Sequence, residues 1–130
     1  MEIRLPAWVD GRYVDMADVL RMVGQNAWAW RLEEFDGLFK REGGDRAREV
    51  EERLVRQGSL MLDWPELVSI AEGLHQTIWC RLVAVDPHTP EPVITLDCFD
   101  SSSWELVAPD GHPAGTQALR RVTQLWPTAD

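Results

Sequence analysis

In 130 residues there is one lysine, one tyrosine and two cysteines, and no apolar run approaches the roughly 20 residues that a membrane-spanning helix needs. The opening stretch MEIRLPAWVDG has Glu2, Arg4 and Pro6 where a secretory leader would carry a basic start and an apolar core, so a cytoplasmic protein without a membrane partner is expected. Cys80 and Cys98 lie in no CxxC pair and beside no histidine, which argues against a reactive cysteine and for two thiols in a reducing compartment. There is no phosphate-cradling glycine loop, no nucleophile elbow, no His-Glu zinc helix, no internal repeat and no low-complexity tract. Basic side chains are missing from one long stretch in particular: between residues 58 and 111 the only one is Arg81. A nucleic-acid ligand is thereby disfavoured, because phosphate binding relies on a basic surface that displaces counterions.

What is present is enough for one domain over residues 1–130, since 45% of the residues are hydrophobic and can build a core without metal or disulfide staples. The net charge is −9, shared as −2 over residues 1–57, −8 over 58–111 and +1 over 112–130. Such an acidic segment favours a basic protein partner.

Local patterns predict an α+β fold. Asp10-Gly11 between short apolar runs reads as a turn. Asp15 reads as an N-cap for a helix burying Met16, Val19, Leu20 and Val23 and ending at Gly24. Trp28, Trp30 and Leu32 alternate with Ala29, Arg31 and Glu33, as in a half-buried strand, which is expected to turn at Asp36-Gly37. Residues 45–56 form a charge-balanced helix with Ala47, Val50 and Leu54 inward and Gly58 as its stop. Asp63, Pro65 and Glu66 start another helix that ends before Gly73. Three β-branched runs then predict an antiparallel C-terminal meander, and a last helix runs from about Thr116 to Pro127, with helices covering one face of the sheet.

A hairpin centred on Thr89 would oppose Cys80 to Cys98, Leu82 to Leu96 and Arg81 to Asp97. One centred on Ser101 would oppose Cys98 to Trp104, Leu96 to Leu106 and Asp97 to Glu105. The cysteines and leucines then share a buried face with Ile78, Ala84, Ile94 and Trp104. The opposite face carries Trp79, Arg81, Val83, Asp97, Phe99 and Glu105. Two readings of this second face stay open. It is an ordinary half-exposed sheet surface, whose ion pairs contribute roughly 0–1 kcal/mol each. Or it is a partner-binding face, with Trp79 and Phe99 as aromatic anchors and Asp97, Asp100 and Glu105 as the carboxylates that meet a basic protein. The enzyme alternative is a metal-assisted hydrolase in which two Asp-x-His turns, Asp86/His88 and Asp110/His112, converge as ligands. Asp and His are also common in turns for conformational reasons, so no catalytic residue, metal or cofactor is assigned.

The stretch ITLDCFDSSSWELVAPD and the closing helix ALRRVTQLW resemble the corresponding strand, Asp-Ser turn, Trp-Glu strand and helix of small acidic immunity proteins of bacterial polymorphic-toxin systems. The resemblance covers the last third of the chain. It implies a cytoplasmic inhibitor that binds and blocks a toxin or nuclease and performs no chemistry, and it carries over no site residues. An acidic nucleic-acid mimic that inhibits a defence nuclease is a related reading. The sequence assigns no oligomeric state.

Overall fold

A computed structural model describes residues 1–89 and 91–128. β1 (Glu2–Pro6) leads into a two-stranded ribbon of β2 (Trp8–Val9) and β3 (Arg12–Tyr13), turned by Asp10 and Gly11 with φ of 51° and 74°. Two left-handed residues in succession give a turn whose twist matches that of the flanking strands. α1 (Met16–Val23) buries the four apolar side chains expected of it. β4 (Ala29–Phe39), α2 (Asp45–Gln57), β5 (Leu60–Leu62) and α3 (Trp64–Glu72) follow, and Asp63 caps α3 by accepting the Glu66 N–H at 2.9 Å. The chain continues through β6 (Leu74–Val85), β7 (Pro92–Phe99), β8 (Ser103–Val107) and α4 (Pro113–Leu125).

β1-β8-β7-β6-β4-β5 is the order of a six-stranded sheet in which every neighbouring pair is antiparallel. Cys80 opposes Cys98, Arg81 opposes Asp97 and Leu82 opposes Leu96 between β6 and β7, while Cys98 opposes Trp104 and Asp97 opposes Glu105 between β7 and β8. The four helices pack on one another and on one face of this sheet, so the protein is α+β. Leu82, Ile94, Leu96, Trp104 and Leu106 on that face are fully buried against Val19, Leu20, Leu67, Leu119 and Val122. Ile78 is only partly buried.

Two boundaries differ from expectation. β4 does not turn at Asp36-Gly37 but runs on to Phe39, with register shifts against β6 on either side of Gly37. A Cβ on Gly37 would lie 2.9 Å from the Gln76 carbonyl oxygen, so this glycine permits a close approach of two strands rather than a turn. α4 begins at Pro113, earlier than Thr116, because proline is tolerated in the first turn, where its missing N–H has no intrahelical partner. The proline-rich turn between β6 and β7 forms in part by Asp86 accepting the His88 N–H at 2.8 Å, with Pro90 outside the described residues.

Candidate partner-binding face

Cross-strand register arranges the side chains of the helix-free face in rows. One row runs Arg4, Glu105, Asp97, Arg81 and Glu34 across β1, β8, β7, β6 and β4. Arg81 Nε donates to Asp97 Oδ1 at 2.7 Å, and Arg4 lies 3.7 Å from Glu105. The Asp97 carboxylate, hydrogen-bonded beside it, raises the pKa of Arg81. Asp97 is only 8% exposed despite lying on the open face, screened by its strand neighbours. Two of the three carboxylates proposed to meet a partner, Asp97 and Glu105, are therefore engaged within the sheet.

The next row, toward the β7–β8 turn, runs Ser103, Phe99, Trp79 and Asp36. Trp79 and Phe99 face each other across β6 and β7, with ring centroids 6.0 Å apart in an edge-on arrangement, and Trp79 remains 42% exposed. Asp36 opposes Trp79 on β4, and Asp100 follows Phe99 in the turn. Both are exposed, and neither is in an ion pair among the described residues. Asp36 belongs to this patch although sequence reasoning did not select it. Its place before Gly37 gives it the look of a turn residue, whereas it is a strand residue opposite Trp79.

The serine turn itself is structural. Ser101 Oγ donates to the Thr77 carbonyl at 2.9 Å, Ser102 Oγ donates to the Phe99 carbonyl at 2.7 Å, and Ser103 Oγ accepts from Arg4 at 3.4 Å. These bonds hold Asp100 and Ser101 in left-handed conformation, φ 48° and 56°, a sterically unfavourable state for residues with a Cβ. Asp100 is thus projected from a fixed backbone.

Beneath the turn lies a polar cluster with no counterpart in the sequence reading. Tyr13 Oη donates to the Thr77 carbonyl at 2.5 Å, and Asp15 Oδ1 accepts from the Thr77 N–H at 3.0 Å and its hydroxyl at 2.5 Å. Cys98 Sγ sits 3.7 Å from the carbonyls of Thr77 and Ile78 and 3.9 Å from Tyr13 Oη. Burial raises the pKa of Tyr13 and Asp15, pushes Cys98 up to about 11 and raises Cys80 well above the ordinary thiol value. Both sulfurs are free thiols that stay protonated at neutral pH, which is poor nucleophile chemistry. The cluster ties the β2–β3 ribbon and the start of α1 to the irregular part of β6.

Of the four Asp-x-His side chains, Asp86 and His112 meet, with Oδ2 and Nε2 3.3 Å apart. The hydrogen bond from the His88 N–H, with that to His112 next, lowers the Asp86 pKa. Among the described residues the side chains of His88 and Asp110 make no such contact, and no group of three or more His, Cys, Asp or Glu side chains is placed to hold a metal ion. A groove of about 290 Å³ between α1 and α3, lined by Leu20, Arg21, Trp64, Val68 and Glu72, lies on the helical side, away from Trp79. No helix among the described residues is long and apolar enough to cross a membrane.

No family model matches the chain, and neither a curated protein nor a solved structure matches it.

Proposed function

We propose that the chain is a protein-binding inhibitor of the immunity-protein or antitoxin kind, which blocks a basic toxin or nuclease through the Trp79 end of its helix-free sheet face. One observation carries this reading: a half-exposed tryptophan, braced edge-on by Phe99, is accompanied by two exposed carboxylates, Asp36 opposite it on β4 and Asp100 in the turn after Phe99, that are in no ion pair among the described residues, on the sheet face opposite the buried leucines. Aromatic anchors of this kind supply contact area at low entropic cost, and carboxylates around them attract an arginine- or lysine-bearing surface. Asp97 and Glu105 then act as the supports of the face rather than as its steering charges. No catalytic role is assigned to any residue.

The test begins with the neighbouring gene: a toxin or nuclease encoded beside this chain supplies the partner for binding kinetics. Asp36→Asn with Asp100→Asn should lower the association rate several-fold at low salt and flatten its salt dependence, with little change in dissociation, because exposed charges act on encounter. Equal association rates and equal salt slopes for the wild type and the double variant would reject electrostatic recognition at this patch.

A further inference from the structure

β1 is the edge of the sheet, and its hydrogen-bonding pattern can be followed residue by residue. Met1 and Ala108 exchange both backbone bonds at 2.8 Å, and the Ala7 N–H reaches the Ser102 carbonyl at 3.0 Å, with an unbroken register between them. Odd-numbered residues of β1 therefore turn their backbone groups toward β8, and even-numbered ones turn theirs toward the open side. Pro6, whose carbonyl accepts the Trp126 indole N–H at 3.1 Å, follows this alternation. Glu2 and Arg4 are left with N–H and C=O directed outward at an edge that no strand among the described residues covers.

We propose that this edge pairs with the same edge of a second copy of the chain, antiparallel and centred on Ile3. Outward-directed backbone groups can exchange bonds only between even-numbered residues, and registers centred on Leu5 or Pro6 would rely on Pro6, which has no N–H, so the registers left are those centred on Glu2, Ile3 or Arg4. Centring on Glu2 sets Glu2 against Glu2. Centring on Arg4 sets Arg4 against Arg4, and places Glu2 opposite Pro6, which has no N–H to give. Centring on Ile3 sets Glu2 against Arg4 twice, forms all four outward backbone bonds, and brings the two Ile3 side chains together on the helical side, where Leu5 meets the exposed Met1 of the other copy. An odd shift would exchange the two faces of the strand. Charge and hydrogen bonding thus select one isologous register.

The resulting sheet is continuous through both copies, with the helices of both on one side. Phe99 and Trp79 stand two and three strands in from the joint, so the pairing leaves the proposed partner-binding patch open and does not depend on it. A contact through one short strand is small, and the dimer is accordingly weak and governed by concentration.

Sedimentation velocity from micromolar to millimolar protein reads the result, with thermal melts confirming that each variant is folded. The wild type should move from monomer toward dimer over this range. Glu2→Arg and Arg4→Glu each replace two attractive pairs by two repulsive ones and should weaken dimerisation roughly tenfold or more. Glu2→Arg leaves the contacts of Arg4 with Ser103 and Glu105 intact, so its effect is free of any change in β8. Mixing the folded Glu2→Arg and Arg4→Glu variants should restore association between unlike copies, since each position 2 then faces a position 4 of opposite charge. A wild type that stays monomeric throughout, or a folded Glu2→Arg variant that dimerises like the wild type, would each overturn the pairing. A monomer whose edge instead takes up an extended peptide would assign it to another protein.

Discussion

Cys80 and Cys98 stand side by side on adjacent strands, yet their sulfurs have different surroundings. Cys98 faces two backbone carbonyls and the Tyr13 hydroxyl, whereas Cys80 is buried in the apolar core, where its hydrogen-bonding neighbour is the Cys98 backbone, a donor to the sulfur rather than an acceptor. A serine at 98 would find acceptors within a small adjustment, and a serine at 80 would bury a hydroxyl without one. Cys80→Ser should therefore cost about 1–3 kcal/mol, and Cys98→Ser distinctly less, measured by denaturant unfolding under reducing conditions. Equal losses would mean that neither the Thr77 nor the Ile78 carbonyl serves residue 98. The opposition of the two cysteines was legible from the hairpin centred on Thr89, but their inequality was not. It depends on Tyr13 and on the irregularity of β6 near Thr77, both remote in sequence from Cys98.

Elements were readable where their signals are local. Asp63 and Glu66 mark the start of α3, Gly24 and Gly58 mark helix ends, and alternation in three β-branched runs gives the β6–β7 and β7–β8 registers. β5 has three residues, too few to show a period, and β1 has five, whose alternation of Glu2, Ile3, Arg4 and Leu5 is too short to name its partner; each is fixed by pairing with a distant strand. Glycine is ambiguous for the same reason: Gly37 resembles a turn residue but serves a close approach. Gly115 is a second such case, at the contact of α4 with β7, where a Cβ would lie 2.3 Å from the Val93 carbonyl oxygen. Alanine ordinarily favours a helix over glycine by about 1 kcal/mol. Here Gly115→Ala should instead destabilise the fold by about 1–3 kcal/mol or more, because the obstacle is backbone and α4 must move away from the sheet. A melting temperature equal to or above that of the wild type would show that α4 is not held at this distance.

At the scale of the whole molecule, the charge that is concentrated in the sequence is dispersed in space. Asp63, Glu66 and Glu72 go to α3 or its cap on the helical side, Asp86 and Asp110 lie in the loops that flank His112, and Asp97 and Glu105 are matched to Arg81 and Arg4. The exposed carboxylates nearest the aromatic pair come from two separated parts of the chain, Asp36 before residue 58 and Asp100 after it, so a segment-wise charge balance could indicate an acidic protein but not its acidic patch. The Trp79–Phe99 pair was legible because strand parity puts both on the face away from the leucines. The most direct measurement of the proposed recognition is the dissociation constant of the partner encoded beside this chain for wild type and for Trp79→Ala, with unfolding curves confirming that both are equally folded. The expected result is a loss of about 2 kcal/mol or more, seen as faster dissociation, with the folded state retained. A partner that binds Trp79→Ala as tightly as the wild type would contradict recognition through this face.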